Sequence, residues 1–223
     1  MTKRKKEGLT KQRFIDETLA FINENGGSER LNLREIARRV GCAHTNAYHY
    51  FSDLKDLKWA ALEAAVLQYA EAISGGLENE MDFNSYFDRL ITNMVEFAIN
   101  NPGLHRFISS DPIKVAELPG SIIQTVIQIK QYFVDVMKVL SPTGTEQTRI
   151  DTIADILISY LDGETLAIIN ERILPGEDIE GRILKNAKLL FKLLSGHRDK
   201  PGQDLIIGNR SSYPKLNIKG ENR

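Results

Sequence analysis

The sequence predicts an all-α protein, an N-terminal three-helix head continuous with a larger helical bundle, and three observations carry that reading. Apolar residues recur at i, i+3 and i+4 through nearly every long segment. Clusters of Gly, Pro and Asn interrupt these segments: Gly26-Gly27, Gly75-Gly76, Asn101-Pro102-Gly103, Pro119-Gly120, Ser141-Pro142-Thr143-Gly144 and Pro175-Gly176. No alternating run is long enough to build a sheet, and Leu205-Ile206-Ile207 is too short to carry one.

In chain order, Thr10 reads as the N-cap of a first helix. Phe14, Ile15, Thr18, Leu19 and Ile22 share one of its faces, and Gly26-Gly27 stops it. Leu33, Ile36, Ala37 and Val40 mark a short second helix ending at Gly41, with Asn32 and Glu35 at capping-box spacing. A third short helix covers about 44–50, and Asp53 opens a longer one over about 54–74. Further helices are expected at about 83–100, 104–109, 121–140, 146–173 and 179–195, followed by a polar tail rich in Gly, Pro, Asn and charge. The expected division is 1–55 for the head with its basic arm, 56–195 for the bundle and 196–223 for the tail.

Composition bounds the function. Hydrophobic residues at 42% and charged residues at 26% are a soluble globular balance. The single cysteine, Cys42, excludes an internal disulfide framework and suits a reducing compartment. The first residues show no secretory h-region and no apolar run is long enough to span a bilayer, so a cytoplasmic protein is expected. The net charge of −1 conceals a split. Residues 1–60 carry 12 Lys/Arg against 8 Asp/Glu, and the remainder 17 against 22, so the front alone favours a polyanion. Lys3-Arg4-Lys5-Lys6 reads either as an arm following a phosphate backbone or minor groove, or as a solvated terminus.

The informative stretch is 33–57. Gly41-Cys42-Ala43 joins two short helices tightly, with Gly41 able to take positive φ and Ala37 small where the helices cross. The second of them, His44-Thr45-Asn46-Ala47-Tyr48-His49-Tyr50, offers hydroxyl, amide and imidazole groups interleaved with aromatics. Such side chains suit base edges and phosphate oxygens in a major groove, which is wide enough for a helix. Cys42 reads as a small apolar filler, with a redox switch at the turn as the other reading. His44 and His49 lack ligand spacing and no acid or cysteine completes a set, so no metal site is expected. No phosphate-binding glycine loop, zincin motif, nucleophile elbow or cysteine-pair cluster occurs, so no catalytic residue and no cofactor are assigned.

Residues 10–60 resemble the DNA-binding head of TetR-family transcriptional regulators. Arg13-Phe14-Ile15-Asp16 with Leu19 and Phe21-Ile22 resembles the family's first helix. Leu33-Arg34-Glu35-Ile36-Ala37 followed by Val40-Gly41 resembles its second. Tyr48-His49-Tyr50-Phe51-Ser52-Asp53 with Leu57 resembles its recognition helix and the start of its fourth. Beyond residue 60 the resemblance rests on helix count and length and on Leu161-Asp162-Gly163. It implies that His44, Thr45 and His49 face bases, that Asn46, Tyr48 and Tyr50 lie near phosphates, and that Phe51 packs inward. Arg34 and Lys55 complete the candidate DNA contacts. Two departures stand out: Ala43 replaces a capping serine, and Leu54 stands where a phosphate-binding lysine is common, with Lys55 next to it.

The resemblance further implies a homodimer that binds a double-stranded palindromic operator, represses, and is released by a small-molecule effector. That effector would lie among the middle helices, at about 83–140 and 150–169. Glu96, His105, Tyr132 and Tyr160 are the candidate ligand contacts, and the aliphatic lining of Ile122, Ile123, Val126 and Ile129 favours an apolar or amphipathic effector. Ile183, Ala187, Leu190, Phe191 and Leu194 form the expected dimer face, with an intrachain core as the other reading of that stripe. Two rival functions remain: the same fold regulated by a protein partner, and a helical scaffold or enzyme without specific DNA affinity.

Overall fold

The computed structural model describes residues 10–80, 82–112, 115–172 and 178–196. The Lys3–Lys6 arm, the break at Pro175-Gly176 and the tail from 197 lie outside the described residues. Eight α-helices occur among the described residues: α1 (Lys11–Asn25), α2 (Leu33–Val40), α3 (Leu54–Ser74), α4 (Phe83–Asn100), α5 (Pro102–Ser109), α6 (Gly120–Leu140), α7 (Gln147–Ile169) and α8 (Ile179–Ser195). Short 3₁₀ turns occupy His44–His49, Leu77–Asn79 and Val115–Glu117. No strand occurs among the described residues, and none of their helices is long and apolar enough to cross a membrane.

The described residues divide into two compact units, those within 1–68 and 101–123 and those within 69–100 and 124–223. This grouping differs from a simple head-then-bundle division because α5 and the segment after it pack with the head.

In the first unit α1 starts where Thr10 accepts the Arg13 amide. It ends at Gly26, whose φ of 69° is the left-handed value that lets its amide and that of Gly27 turn back onto Asn23 and Ile22. Phe14, Ile22, Ile36, Ala37, Phe51, Leu57 and Phe107 form its core, each almost wholly removed from water. Helix α5 lies so close to α1 that only glycine fits at 103. Asn23 Oδ1 accepts the first amides of α5, from Gly103 at 3.1 Å and Leu104 at 3.4 Å, supplying the cap that Asn101 does not give. Arg106 Nη1 donates to the Gly26 carbonyl at 3.1 Å, and the Ser28 hydroxyl donates to Asp111.

The second unit is built on α4, α7 and α8. Tyr86, Phe87, Leu90, Met94, Phe133, Leu157, Leu161, Ile183 and Phe191 are buried there, with Phe87 and Phe191 rings 6.1 Å apart. Arg182 grips Glu164 with both terminal nitrogens at 3.0 and 2.8 Å, and Lys188 Nζ lies 2.6 Å from Asp88. Arg149 donates to the Leu194 carbonyl at 2.7 Å and so covers the carboxyl end of α8, while Asp178 caps its start.

Candidate nucleic-acid interface

Helix α2 sets the position of the element that follows it. The Asn32 side chain accepts the Glu35 amide at 2.9 Å. Glu35 does not complete the capping box. Its carboxylate instead takes Arg38 at 2.6 Å and Arg39 at 3.3 Å, and the Arg38 hydrogen bond foremost holds its pKa down at about 2. Arg39 also reaches Glu24 on α1 at 2.7 Å and lies over the Phe21 ring, tying the two helices together. Gly41, at φ 83°, ends α2, with the Gly41 amide bonded to Arg38 and that of Cys42 to Ala37.

The expected third helix is a 3₁₀ helix at His44–His49 rather than an α-helix. Ala43 supplies no side-chain cap, and the ladder uses i→i+3 bonds such as Asn46 N–H to Ala43 O and Tyr50 N–H to Ala47 O. Six residues without a cap suit this tighter winding, which proteins use in short pieces. Ala47 is fully buried, whereas His44, Thr45, Tyr48 and His49 are exposed, Tyr48 by 56%. Asn46 and Tyr50 are half-buried. The Tyr50 ring lies 5.5 Å from Phe14 and that of Phe51 6.0 Å, so the aromatic run anchors one side of this element while its other side faces water. Arg34 is exposed on α2.

Helix α3 begins beside this element. Asp53 accepts the Asp56 amide at 2.8 Å, and Asp56 returns to the Ser52 amide at 2.9 Å. Lys55 is exposed on the first turn, its Nζ 2.7 Å from Glu117 Oε2 and 5.8 Å from the Trp59 ring centroid. Cys42 is half-buried, and burial pushes its thiol up from the ordinary range. The chain thus brings His44, Thr45, Tyr48, His49, Arg34 and Lys55 to water within one unit.

Of the four candidate ligand contacts, His105 lies in the first unit and Glu96, Tyr132 and Tyr160 lie in the second. His105 belongs to the first unit, where it is 1% exposed and burial pushes its pKa down to about 4. Glu96 is exposed on α4, as is Arg89, and so is no part of a buried apolar lining. Tyr132 is buried in the second unit with its hydroxyl enclosed, and burial pushes its pKa up to about 12. Tyr160 is half-buried beside Asn186 and Glu164. A feature that motif reading missed is Asp162, half-buried on α7 near Tyr69, whose carboxyl burial raises to about 6. Asp162 is one of four acids on α7, with Asp151, Asp155 and Glu164, so the sequence held no signal that sets it apart.

The expected dimer face also needs correction. Ile183, Ala187 and Phe191 are in the core of their own chain, and Leu190 and Leu194 are half-buried. The apolar side chains that α8 leaves to water are Leu189 and Leu193, 53% and 70% exposed, and α7 leaves Ile156. Periodicity finds the centre of an apolar stripe, and here the centre packs inward while the edge stays exposed. Among the described residues no group of three His, Cys, Asp or Glu could hold a metal ion.

No protein-family model matches the sequence. The nucleoid occlusion factor SlmA of Haemophilus influenzae is 20% identical over 163 residues, covering 71% of this chain and 75% of the relative. SlmA of Mannheimia succiniciproducens is 21% identical over 176 residues, covering 76% and 82%. A TetR-family regulator from Streptomyces coelicolor superposes with a TM-score of 0.66 at 17% identity, covering 85% of this chain and 84% of its own. The fatty acid degradation regulator FadR of Bacillus halodurans gives 0.64 at 15% identity, covering 84% and 97%. FadR of Bacillus subtilis, solved with stearoyl-CoA, gives 0.57 at 14%, covering 83% and 98%. The helix order, the short turn between α2 and the 3₁₀ element and these superpositions agree: the fold of this chain is that of the TetR-family transcriptional regulators.

Proposed function

We propose that this protein is a dimeric, sequence-specific DNA-binding regulator that represses from a palindromic operator. The observation that carries this reading is the exposed face of His44, Thr45, Tyr48 and His49 on an element anchored by Ala47, Tyr50 and Phe51. Hydrogen-bonding side chains held out on a rigid mount have no packing role, whereas they match the donors and acceptors of a major groove. His44, Thr45 and His49 read base edges. Tyr48, Asn46 and Arg34 hold phosphates, and Lys55 adds a contact at the start of α3.

A head of this size reads few base pairs, and two heads related by a two-fold axis read two half-sites. Leu189 and Leu193 on α8 with Ile156 on α7 are the face for a second copy, supported by their exposure on two contacting helices. Exposed Ser159 and Gly163 on α7 leave room for a close approach.

Release follows from a small molecule that binds the second unit better in one head spacing than the other; the shift cannot exceed that difference in affinity. An apolar or amphipathic effector is supported by the aliphatic and aromatic interior and by the FadR likeness, one member of which was solved with stearoyl-CoA. A second reading, regulation through a protein partner in place of a ligand, is favoured by the likeness to a nucleoid occlusion factor. Unchanged heat stability across a broad ligand panel, with DNA binding intact, would select it.

The test is selection of bound duplexes from a random library with the full chain at physiological salt. Enrichment of a palindrome with two half-sites establishes the function. No enrichment even at low salt removes it and leaves a helical scaffold or enzyme.

A further inference from the structure

Helix α3 starts beside the exposed 3₁₀ face and carries lysines on successive turns, Lys55 and Lys58. Both meet carboxylates from the stretch between α5 and α6. Lys58 Nζ lies 3.6 Å from Asp111 Oδ2, and Lys55 Nζ lies 2.7 Å from Glu117 Oε2. The two pairs differ in kind. The Asp111 side chain is 9% exposed and receives the Ser28 hydroxyl, so its pairing with Lys58 belongs to the packing of the unit. The side chains of Lys55 and Glu117 are 60% and 42% exposed, so this pair is one that an incoming anion can reach and break.

We propose that Glu117 is an internal competitor for DNA, its carboxylate occupying in the free protein the Lys55 ammonium that a backbone phosphate takes in the complex. The inference rests on the DNA-binding function above and adds a residue that sets affinity without touching DNA. To an ammonium, carboxylate and phosphate are ligands of one kind, compact anions whose oxygens accept its N–H groups. Phosphate binding at Lys55 therefore begins with a loss, the Glu117 contact, and sets a carboxylate close to the phosphate that replaced it. Both effects weaken binding to every DNA sequence alike, because no base is read. Glu117 also stands three residues before α6, so any displacement of that helix's first turn moves the carboxylate relative to Lys55. Affinity for DNA is in this way adjustable from outside the recognition element.

The size of the effect follows from the exposure of the pair. Breaking an exposed ion pair changes an equilibrium by about 1.5- to 5-fold, so Glu117→Gln tightens a two-headed complex by roughly 2- to 25-fold. The experiment measures duplex DNA binding by fluorescence anisotropy over a range of salt concentrations for the full chain, Glu117→Gln, Lys55→Ala and the double variant. Glu117→Gln is expected to bind more tightly. Lys55→Ala is expected to bind more weakly with a salt slope lower by about 1 per head. In the Lys55→Ala background, Glu117→Gln is expected to add little. Equal tightening in both backgrounds would reduce Glu117 to a general repulsion and overturn the proposal, as would a Glu117→Gln variant no tighter than the parent. If the unaltered chain binds no duplex at low salt, the DNA-binding function itself fails and this inference with it. Intact binding with additive variants removes only the role of Glu117.

Discussion

A single methyl group at Gly103 tests the packing on which the first unit depends. A Cβ built there would fall on the Ile22 carbonyl oxygen, 2.5 Å from Asn23 Cα and 2.7 Å from Asn23 O. All three are α1 backbone atoms, so no side chain can swing aside. Since ordinary contact needs about 3.5 Å, α1 and α5 must separate by roughly 1 Å. Over-packing of this kind costs about 1–3 kcal/mol. The separation also strains the bonds from the Gly103 and Leu104 amides to Asn23, a cap contributing about 1 kcal/mol. Alanine returns up to about 1 kcal/mol through its better helix propensity. The net expectation for Gly103→Ala is a loss of about 2 kcal/mol, which for a chain of this length lowers Tm by about 4–8 °C. Gly120→Ala is the control, because a Cβ at the start of α6 meets nothing within 4 Å. The assay is thermal unfolding of the two variants beside the parent. A Gly103→Ala protein as stable as the Gly120→Ala control would refute the close-approach argument.

Tyr48→Phe is expected to weaken binding to all DNA sequences alike, whereas His49→Ala relaxes preference at one or two positions, by about 1–3 kcal/mol; uniform weakening by both, measured on a panel of mutated operators, would contradict the base-facing role of His49. His105 is held near a pKa of about 4, below its ordinary 6.5, so acidification charges the unfolded chain first. Stability is full above 6.5 and is lost as pH falls from about 6.5 to 4, by up to about 3 kcal/mol, and unfolding midpoints of His105→Gln should show a smaller drop over that range. Asp162 has the opposite sign: its carboxyl sits at about 6 against an ordinary 3.8, so stability is lost as pH rises through that window. Asp162→Asn is expected to raise Tm at pH 7.5 and leave it unchanged near pH 3.5. Leu193→Glu, at a side chain 70% exposed in its own chain, is expected to fold normally and run as a monomer in light scattering, and a persistent dimer would exclude that face.

Much of the first unit was legible because its signals are local. Thr10 and Asn32 do cap α1 and α2, and Gly26 and Gly41 do end them at positive φ. Ala37 is buried as its spacing implied and Phe51 as the family resemblance implied, while Thr45, Tyr48 and His49 reach water. The caps and the glycine stops follow from bonds spanning three to five residues, which a sequence displays directly. The winding of His44–His49 was less legible, since a six-residue stretch has no period long enough to separate α from 3₁₀.

The face of α8 shows the limit of periodicity. Ile183, Leu184, Ala187, Leu189, Leu190, Phe191, Leu193 and Leu194 cover more than half of its circumference, so an apolar stripe exists without revealing which part of it meets α4 and α7. The choice depends on the shapes of the facing helices.

By itself, then, the sequence determined the helix order, the caps, the glycine stops and the exposed polar element of the head, because these depend on backbone chemistry and on neighbours within a turn. The tertiary structure alone decided that α5 packs backbone to backbone on α1 at Gly103, that Asn23 caps a helix about 80 residues away, and that Lys55 faces Glu117 across 62 positions of chain. Contacts of that kind are set by where whole helices come to rest, and that is decided by the summed burial of many apolar side chains, which leaves no signature at the residues that happen to meet.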